Sequence, residues 1–116
     1  MNKPLGPYSP VVRAGDFLIV SGQGGMKDGA IVEGGVAGQT EQTMVNLAER
    51  LAEMGAGLGD IVKTTCFLTD MDTFATFNAA YGAALGDHRP ARSTVEVSAL
   101  PAGMAVEVEA WAYKPE

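Results

Sequence analysis

Cysteine and histidine are almost absent from this sequence, which removes several common chemistries. Its 116 residues contain one cysteine, Cys66, and one histidine, His88. A single cysteine excludes an internal disulfide framework and a cysteine-rich zinc site. Because no paired ligand spacing accompanies the one histidine, we expect no metal ion and no Cys/His nucleophile. We interpret His88 as an exposed loop residue.

Positive charge is also scarce. Eight lysines and arginines stand against fourteen aspartates and glutamates, which gives a formal net charge of −6. Nucleic-acid-binding domains usually have a basic surface, because phosphate contacts supply most of their affinity, so we expect no nucleic-acid partner. No apolar run approaches the roughly 18 residues of a membrane span, and the N-terminal MNKPLGPYSP has no signal-peptide core. These features predict a cytoplasmic protein with no membrane association.

The share of charged residues of either sign is low as well. It is 19%, against about 25% in an average globular domain, whereas apolar residues reach 47%. A chain of this length suits one domain with a sizeable core, so we predict a single domain over residues 1–116. The low charge predicts that another molecule, such as a second copy of the chain, covers part of the surface.

Hydrophobic periodicity predicts an α+β fold. Apolar residues recur at helical spacing over 38–54 and 73–85, and Asp72 is the predicted N-cap of the second helix. The segments that are predicted to be strands are 17–21, 61–69, 92–99 and 106–113. We expect the glycine-rich stretch 22–25 to end the first strand, and the turn at 100–103 to join the last two as an antiparallel hairpin. Two helices then pack on one face of a mixed sheet.

The predicted hairpin carries the residues best suited to chemistry. Alternation puts Arg92 and Thr94 on the same face as Glu107, Glu109 and Trp111, away from the helices. An arginine can hold a carboxylate bidentately, and a neighbouring glutamate can position or deprotonate a water molecule. The alternative is a solvated face with cross-strand ion pairs. Since such a face does not usually carry tryptophan beside its charges, we favour an interface between copies of the chain.

Three further polar residues are candidates for the same site. Asn78 lies on the apolar stripe of the second predicted helix, where its amide needs hydrogen-bond partners. It either pins a loop or contributes to a site, and the spacing leaves both interpretations open. Tyr8 in the N-terminal arm and Ser21 at a strand end contribute only if the arm and that strand end converge on the hairpin.

Several short motifs occur in a fixed order along the chain. They are Gly6-Pro7-Tyr8-Ser9, Ser21-Gly22-Gln23, Gln39-Thr40, Asn46-Leu47, DIVKTT at 60–65, Phe77-Asn78 with Tyr81, Pro90-Ala91-Arg92-Ser93, Leu100-Pro101 and VEVEA at 106–110. In their order and spacing the chain resembles the RidA/YjgF family of reactive-intermediate imine deaminases, from the arm to the last strand.

The resemblance implies a chorismate-mutase-like fold assembled as a homotrimer, with clefts between subunits and no metal or cofactor. It also implies hydrolysis of 2-imino acids, such as 2-iminobutanoate and 2-iminopropanoate, to 2-oxo acids and ammonia. Arg92 would bind the substrate carboxylate, and Glu107 would orient and activate the attacking water. The remaining residues that would line or shape the cleft are Tyr8, Ser21, Asn78 and Thr94.

The chain departs from the family pattern at the cleft. Thr94 stands where the family often has cysteine, so a thiol is missing there, although its hydroxyl or backbone carbonyl can still lie near the water. Pro10 stands where glutamine is common, and Gly24-Gly25 replaces a more usual Ile-Pro stretch, which changes the cleft rim. Two other functions compete with imine hydrolysis. One is non-catalytic binding of a small carboxylate by the trimer, and the other is endoribonuclease activity, which the acidic net charge disfavours.

Overall fold

Two helices pack on one face of a five-stranded sheet in the computed structural model, which describes residues 2–116. The strands of this sheet are β1 (Val11–Ala14), β2 (Phe17–Gly24), β5 (Ile61–Leu68), β6 (Ala91–Glu96) and β7 (Val106–Tyr113). The short strands β3 (Met26–Lys27) and β4 (Ala30–Ile31) pair with each other outside it. The helices are α1 (Gly35–Ala52) and α2 (Phe74–Leu85).

The sheet is mixed, as predicted. Its strand order is β1-β2-β7-β5-β6. The β5–β6 pair is parallel, and the other three neighbouring pairs are antiparallel. A parallel pair needs a crossover connection, and α2 supplies it between β5 and β6. The prediction of an α+β fold with two helices on one face of a mixed sheet is therefore confirmed.

The core lies between the helices and the inner face of the sheet. On β7, strict alternation buries Val106, Val108, Ala110 and Ala112 completely. On α1, buried residues spaced three and four apart form the layer that faces the sheet. Leu47 is one of the fully buried residues of this layer. No helix among residues 2–116 is long and apolar enough to cross a membrane.

The predicted hairpin between the last two strands is wrong. The chain does reverse through a short 3-10 turn at Pro101–Gly103, but β6 and β7 are not neighbours. Strand β5 lies between them, parallel to β6 and antiparallel to β7. The turn residues fix a change of direction, whereas pairing with the distant strands β2 and β5 fixes the central position of β7 in the sheet.

The predicted orientation of β6 is also wrong. Arg92 and Thr94 pair with Thr64 and Cys66 of β5, both of which face the helices. Directly opposite residues share a face, so Arg92 and Thr94 point toward the helices too. Val95 points outward and is 44% exposed. The physical reason is that α2 provides a favourable environment for the Arg92 guanidinium on the inner side of the sheet.

Smaller differences concern the ends of elements. Strand β2 continues to Gly24 instead of ending at the glycines, with a register shift between Val20 and Gln23. Helix α1 begins and ends earlier than predicted. The predicted cap Asp72 is wrong, because Asp70 accepts the hydrogen bond from the Asp72 backbone nitrogen in a 3-10 turn before α2.

The outer face of the sheet carries exposed aromatic and aliphatic residues. Phe17 contacts Trp111 and Tyr113 edge to face, with ring centroids 5.8 and 5.4 Å apart. These three rings are between 37% and 48% exposed, and Val12 and Val95 are similarly exposed. No helix of the described chain covers this face. An apolar patch of this kind marks a contact surface.

Candidate functional site

Glu107 lies at the start of β7 on the outer face of the sheet. It is paired with Gly24 of β2 on one side and with Phe67 of β5 on the other. Its side chain passes over Gly22, where an added Cβ atom would stand 2.6 Å from the carboxylate carbon. The absence of a side chain at Gly22 therefore creates the space that this carboxylate occupies.

The carboxyl group of Glu107 is in an unusual electrostatic environment. Burial raises its pKa above the ordinary glutamate value, and the nearby charge of Glu109 raises it further. Among residues 2–116, no lysine or arginine forms an ion pair with Glu107. A partly buried carboxylate with a raised pKa and no counter-charge is suited to accepting a proton from water.

The N-terminal arm packs beside Glu107. The Ser21 hydroxyl donates to the Ser9 carbonyl over 2.7 Å, and the Ser21 backbone nitrogen donates to the Pro10 carbonyl over 2.9 Å. These bonds fix the arm to β2. Tyr8 and Glu107 both line a cleft of about 710 Å³. We call Tyr8, Ser21 and Glu107 the acidic half-site.

Arg92 lies on β6 and points at α2. Its Nη1 donates a 2.8 Å hydrogen bond to the Asn78 side-chain oxygen. The guanidinium carbon lies over three aromatic rings of α2, at 5.1 Å from the Tyr81 centroid, 5.4 Å from Phe74 and 5.7 Å from Phe77. No carboxylate among residues 2–116 pairs with Arg92. The arginine is thus oriented without being neutralised.

Thr94 lies two residues beyond Arg92 on the same face of β6. Its hydroxyl oxygen is buried without a hydrogen-bond partner among residues 2–116. It is nevertheless close to the Cys66 thiol, its register partner on β5, and is among the groups that lower the pKa of that thiol. Burial dominates and raises the pKa of Cys66 overall. We call Asn78, Arg92 and Thr94 the basic half-site.

The two half-sites are separated within one chain. Thr94 and Val108 both pair with Cys66, so Arg92, Thr94 and Val108 share the inner face of the sheet. Glu107 lies on the outer face. The prediction that Arg92 and Glu107 share one face is wrong. Arg92 lies on β6, which is the edge strand at one end of the sheet, where a second molecule can approach it.

Two parts of this arrangement did not appear among the predicted site residues. Gly22 makes room for Glu107, and the motif Ser21-Gly22-Gln23 contains no signal for that role without the register of β2 and β7. Together with Asn78, the rings that surround Arg92 occupy positions i, i+3, i+4 and i+7 of α2. This spacing is also typical of an ordinary helix face that packs against the core. Within residues 2–116, no cluster of three His, Cys, Asp or Glu residues is arranged to hold a metal ion.

The mixed sheet with two helices on one face defines an α+β class of protein, and comparison with known proteins identifies the family. The profile of the endoribonuclease L-PSP family matches residues 1–114. A RutC family protein from Pyrococcus horikoshii is 44% identical over 114 residues, which cover 97% of this chain and 90% of that protein. The chain therefore belongs to the endoribonuclease L-PSP family, also called the RidA/YjgF family.

Two further relatives carry more informative descriptions. The 2-iminobutanoate/2-iminopropanoate deaminase of Salmonella typhimurium is 42% identical over 115 residues, covering 95% of this chain and 89% of that protein. The crystal structure of Escherichia coli TdcF with bound serine superposes with a TM-score of 0.90 at 34% identity. That match covers 96% of this chain and 91% of the TdcF chain.

Proposed function

We propose that this protein hydrolyses 2-imino acids to 2-oxo acids and ammonia, and that its active site forms where two copies of the chain meet. The single observation that carries the proposal is the pair of unneutralised charges. Arg92 is oriented with no carboxylate beside it, and Glu107 is held half-buried with no cation beside it. The deaminase name of a relative with 42% identity supports the choice of substrate class.

Arg92 would bind the carboxylate of the substrate. A guanidinium offers five N–H donors in a plane, and a carboxylate accepts two of them in parallel. In such a complex, the carbon at position 2 of the imino acid is held at a fixed distance from the site of attack. This positioning can supply a large part of the rate enhancement, because the imine carbon is already electrophilic when its nitrogen is protonated.

Glu107 would act on the water. Its carboxylate accepts a proton as the water oxygen bonds to carbon 2, which gives a carbinolamine. Glu107 then returns the proton to the nitrogen and the carbon–nitrogen bond breaks. The carbinolamine hydroxyl loses its proton to the departing ammonia, which leaves as ammonium while the 2-oxo acid forms. The glutamate is unchanged after one cycle, and the reaction consumes one water.

A second copy of the chain is needed to bring the two charges together. Within one chain the acidic and basic half-sites face opposite sides of the sheet. The exposed rings Phe17, Trp111 and Tyr113 offer the outer face as a contact surface for that copy. We propose the homotrimer that the family resemblance implies, with Arg92 of one chain against Glu107 of the next.

We expect the substitution Arg92→Ala to reduce kcat/KM for 2-iminobutanoate hydrolysis by about a hundredfold, mainly through KM, because a charge-assisted bidentate contact is lost. The imine is generated in situ by a threonine dehydratase, and the rate is followed as 2-oxobutanoate formation above the spontaneous reaction. The matched control is Arg13→Ala, on the opposite edge strand of the sheet, where the arginine pairs with Glu116.

An Arg92→Ala variant that retains the parent's kcat/KM would refute the assigned role. If the parent binds 2-oxobutanoate without accelerating imine loss, the protein is a carboxylate-binding member of the family. Cleavage of RNA by the parent, with a rate that falls steeply as salt rises, would instead favour the endoribonuclease function.

Gly22 provides a second test that leaves the charged residues in place. We expect Gly22→Ala to lower kcat by about tenfold to a hundredfold, since a displacement of roughly 1 Å at a reacting group has an effect of this size. The new Cβ would stand 2.6 Å from two atoms of the Glu107 carboxylate, so the carboxylate must move. Because those atoms end a flexible side chain, we expect little change in the free energy of unfolding.

The control for Gly22→Ala is Gly59→Ala, whose added Cβ meets no heavy atom within 4 Å. Steady-state kinetics and urea unfolding at one protomer concentration are measured for both variants. Unchanged kcat in Gly22→Ala would mean that the carboxylate position over Gly22 is not the reactive one.

A further inference from the structure

One face of α2 holds a single guanidinium. Phe74, Phe77, Asn78 and Tyr81 lie three, four and seven residues apart and so line one stripe of the helix. All four contact Arg92 of β6. The stripe is therefore a cradle for the arginine as well as part of the core.

The cradle orients Arg92 while leaving its charge available. Aromatic rings attract the cation through their π faces and take none of its N–H donors. Asn78 accepts one bond from Nη1, and its amide is neutral. Within residues 2–116 the Arg92 side chain makes no other hydrogen bond, so no acceptor of the described chain engages the Nε–Nη2 edge of the guanidinium.

A carboxylate in place of the Asn78 amide would have a different effect. It would accept the same Nη1 bond but would form an ion pair, neutralising Arg92 and repelling an incoming carboxylate. A smaller apolar residue would leave the guanidinium held by rings alone. Of these options, an amide is the one that both fixes the arginine and preserves its positive charge.

We propose that Asn78 is a positioning residue, acting through Arg92 as a neutral anchor that turns the Nε–Nη2 edge of the guanidinium toward a small 2-oxo or 2-imino carboxylate. This inference rests on the proposed function for the identity of the carboxylate. It differs from the expectation that Asn78 itself binds substrate, because its side-chain oxygen is already engaged by Arg92.

The test compares Asn78→Asp and Asn78→Ala with the parent, using 2-oxobutanoate as the probe ligand. Asn78→Asp is expected to raise the calorimetric Kd of 2-oxobutanoate about tenfold or more, and to raise KM for the imine with kcat within about threefold of the parent. Ala79→Asp is the matched control. It adds the same charge at the next residue of α2, which is exposed, and its Kd should match that of the parent.

A second measurement reports on Arg92 itself. In nitrogen-15 NMR spectra, the Nη1 bond to Asn78 should slow rotation about the Nε–Cζ bond and give resolved guanidinium signals for Arg92. These signals should persist in Asn78→Asp and collapse in Asn78→Ala, whose Kd should rise by a smaller factor. A merely structural asparagine would lower the free energy of unfolding in both variants while leaving Kd and the Arg92 signals unchanged.

The outcomes separate this inference from the proposed function. Weakened binding in Asn78→Asp together with no imine hydrolysis by the parent supports the anchor and refutes the hydrolase. Imine hydrolysis by the parent with unchanged Kd in Asn78→Asp refutes the anchor alone. Failure of the parent to bind 2-oxobutanoate overturns the anchor, because Arg92 would then not be presented to such a carboxylate.

Discussion

Replacing Glu107 by glutamine should lower kcat for 2-iminobutanoate hydrolysis by about a thousandfold, within the usual range for removal of a general base. Glutamine has nearly the same shape, so it fits the space over Gly22 that the glutamate side chain occupies. It accepts no proton from water at neutral pH. The substrate carboxylate still meets Arg92, so KM should change by less than about threefold.

The pH profile provides the control for this substitution. Burial and the charge of Glu109 both raise the pKa of Glu107, and activity requires its ionised form, so activity falls as the pH drops through that pKa. Glu109→Gln removes one of the two causes and should move the acidic limb to lower pH while retaining most of kcat. Glu107→Gln should lose that limb. An acidic limb that stays at the same pH in Glu109→Gln would show that another group governs it.

The elements of the fold could be predicted because each has a local signature. The helical stripe that contains Leu47 and the alternation of Val106 and Val108 are set by side chains a few residues apart. The neighbour of each strand is set by contacts between distant segments. The turn before β7 indicates a reversal of the chain. Its residues do not indicate that β5 lies between β6, which precedes the turn, and β7, which follows it.

The orientation of β6 could not be predicted from its pattern for a related reason. Counting apolar residues assigns Ser93 and Val95 to the core and Arg92 to solvent. In the fold, Arg92 gains three ring contacts and a hydrogen bond on the inner side. The energetic value of that environment depends on α2, which lies outside the strand.

For the candidate site, too, local sequence features could be read and long-range placement could not. The sequence motifs and their order indicate Arg92 and Glu107 as candidate site residues. Their separation follows from the strand pairing of Cys66. This residue of β5 pairs with Thr94 of β6 and with Val108 of β7, so Thr94 and Val108 lie on the inner face. Residue types predict what each group can do, whereas only the topology reveals that one chain does not bring them together.

Mixing two impaired variants should therefore restore activity. Arg92→Ala and Glu107→Gln are each impaired, but a hybrid assembly contains sites that take Arg92 from a Glu107→Gln chain and Glu107 from an Arg92→Ala chain. For equal amounts mixed at random in a closed symmetric oligomer, about a quarter of the sites are complete. The mixture, refolded together at fixed total protomer concentration, should thus recover about a quarter of the parent's kcat/KM.

A second mixture tests separately whether each site spans two chains. Compared with pure parent at the same total protomer concentration, an equal mixture of parent chains and the double variant carrying both substitutions has about half of the activity if each site lies within one chain. It has about a quarter if each site spans two chains. Activity that remains at the level of the separate variants in the first mixture, and near one half in the second, would overturn the shared site. A shared site would also explain why Arg92 and Glu107 are left unneutralised within one chain, since the site to which both contribute is complete only after assembly.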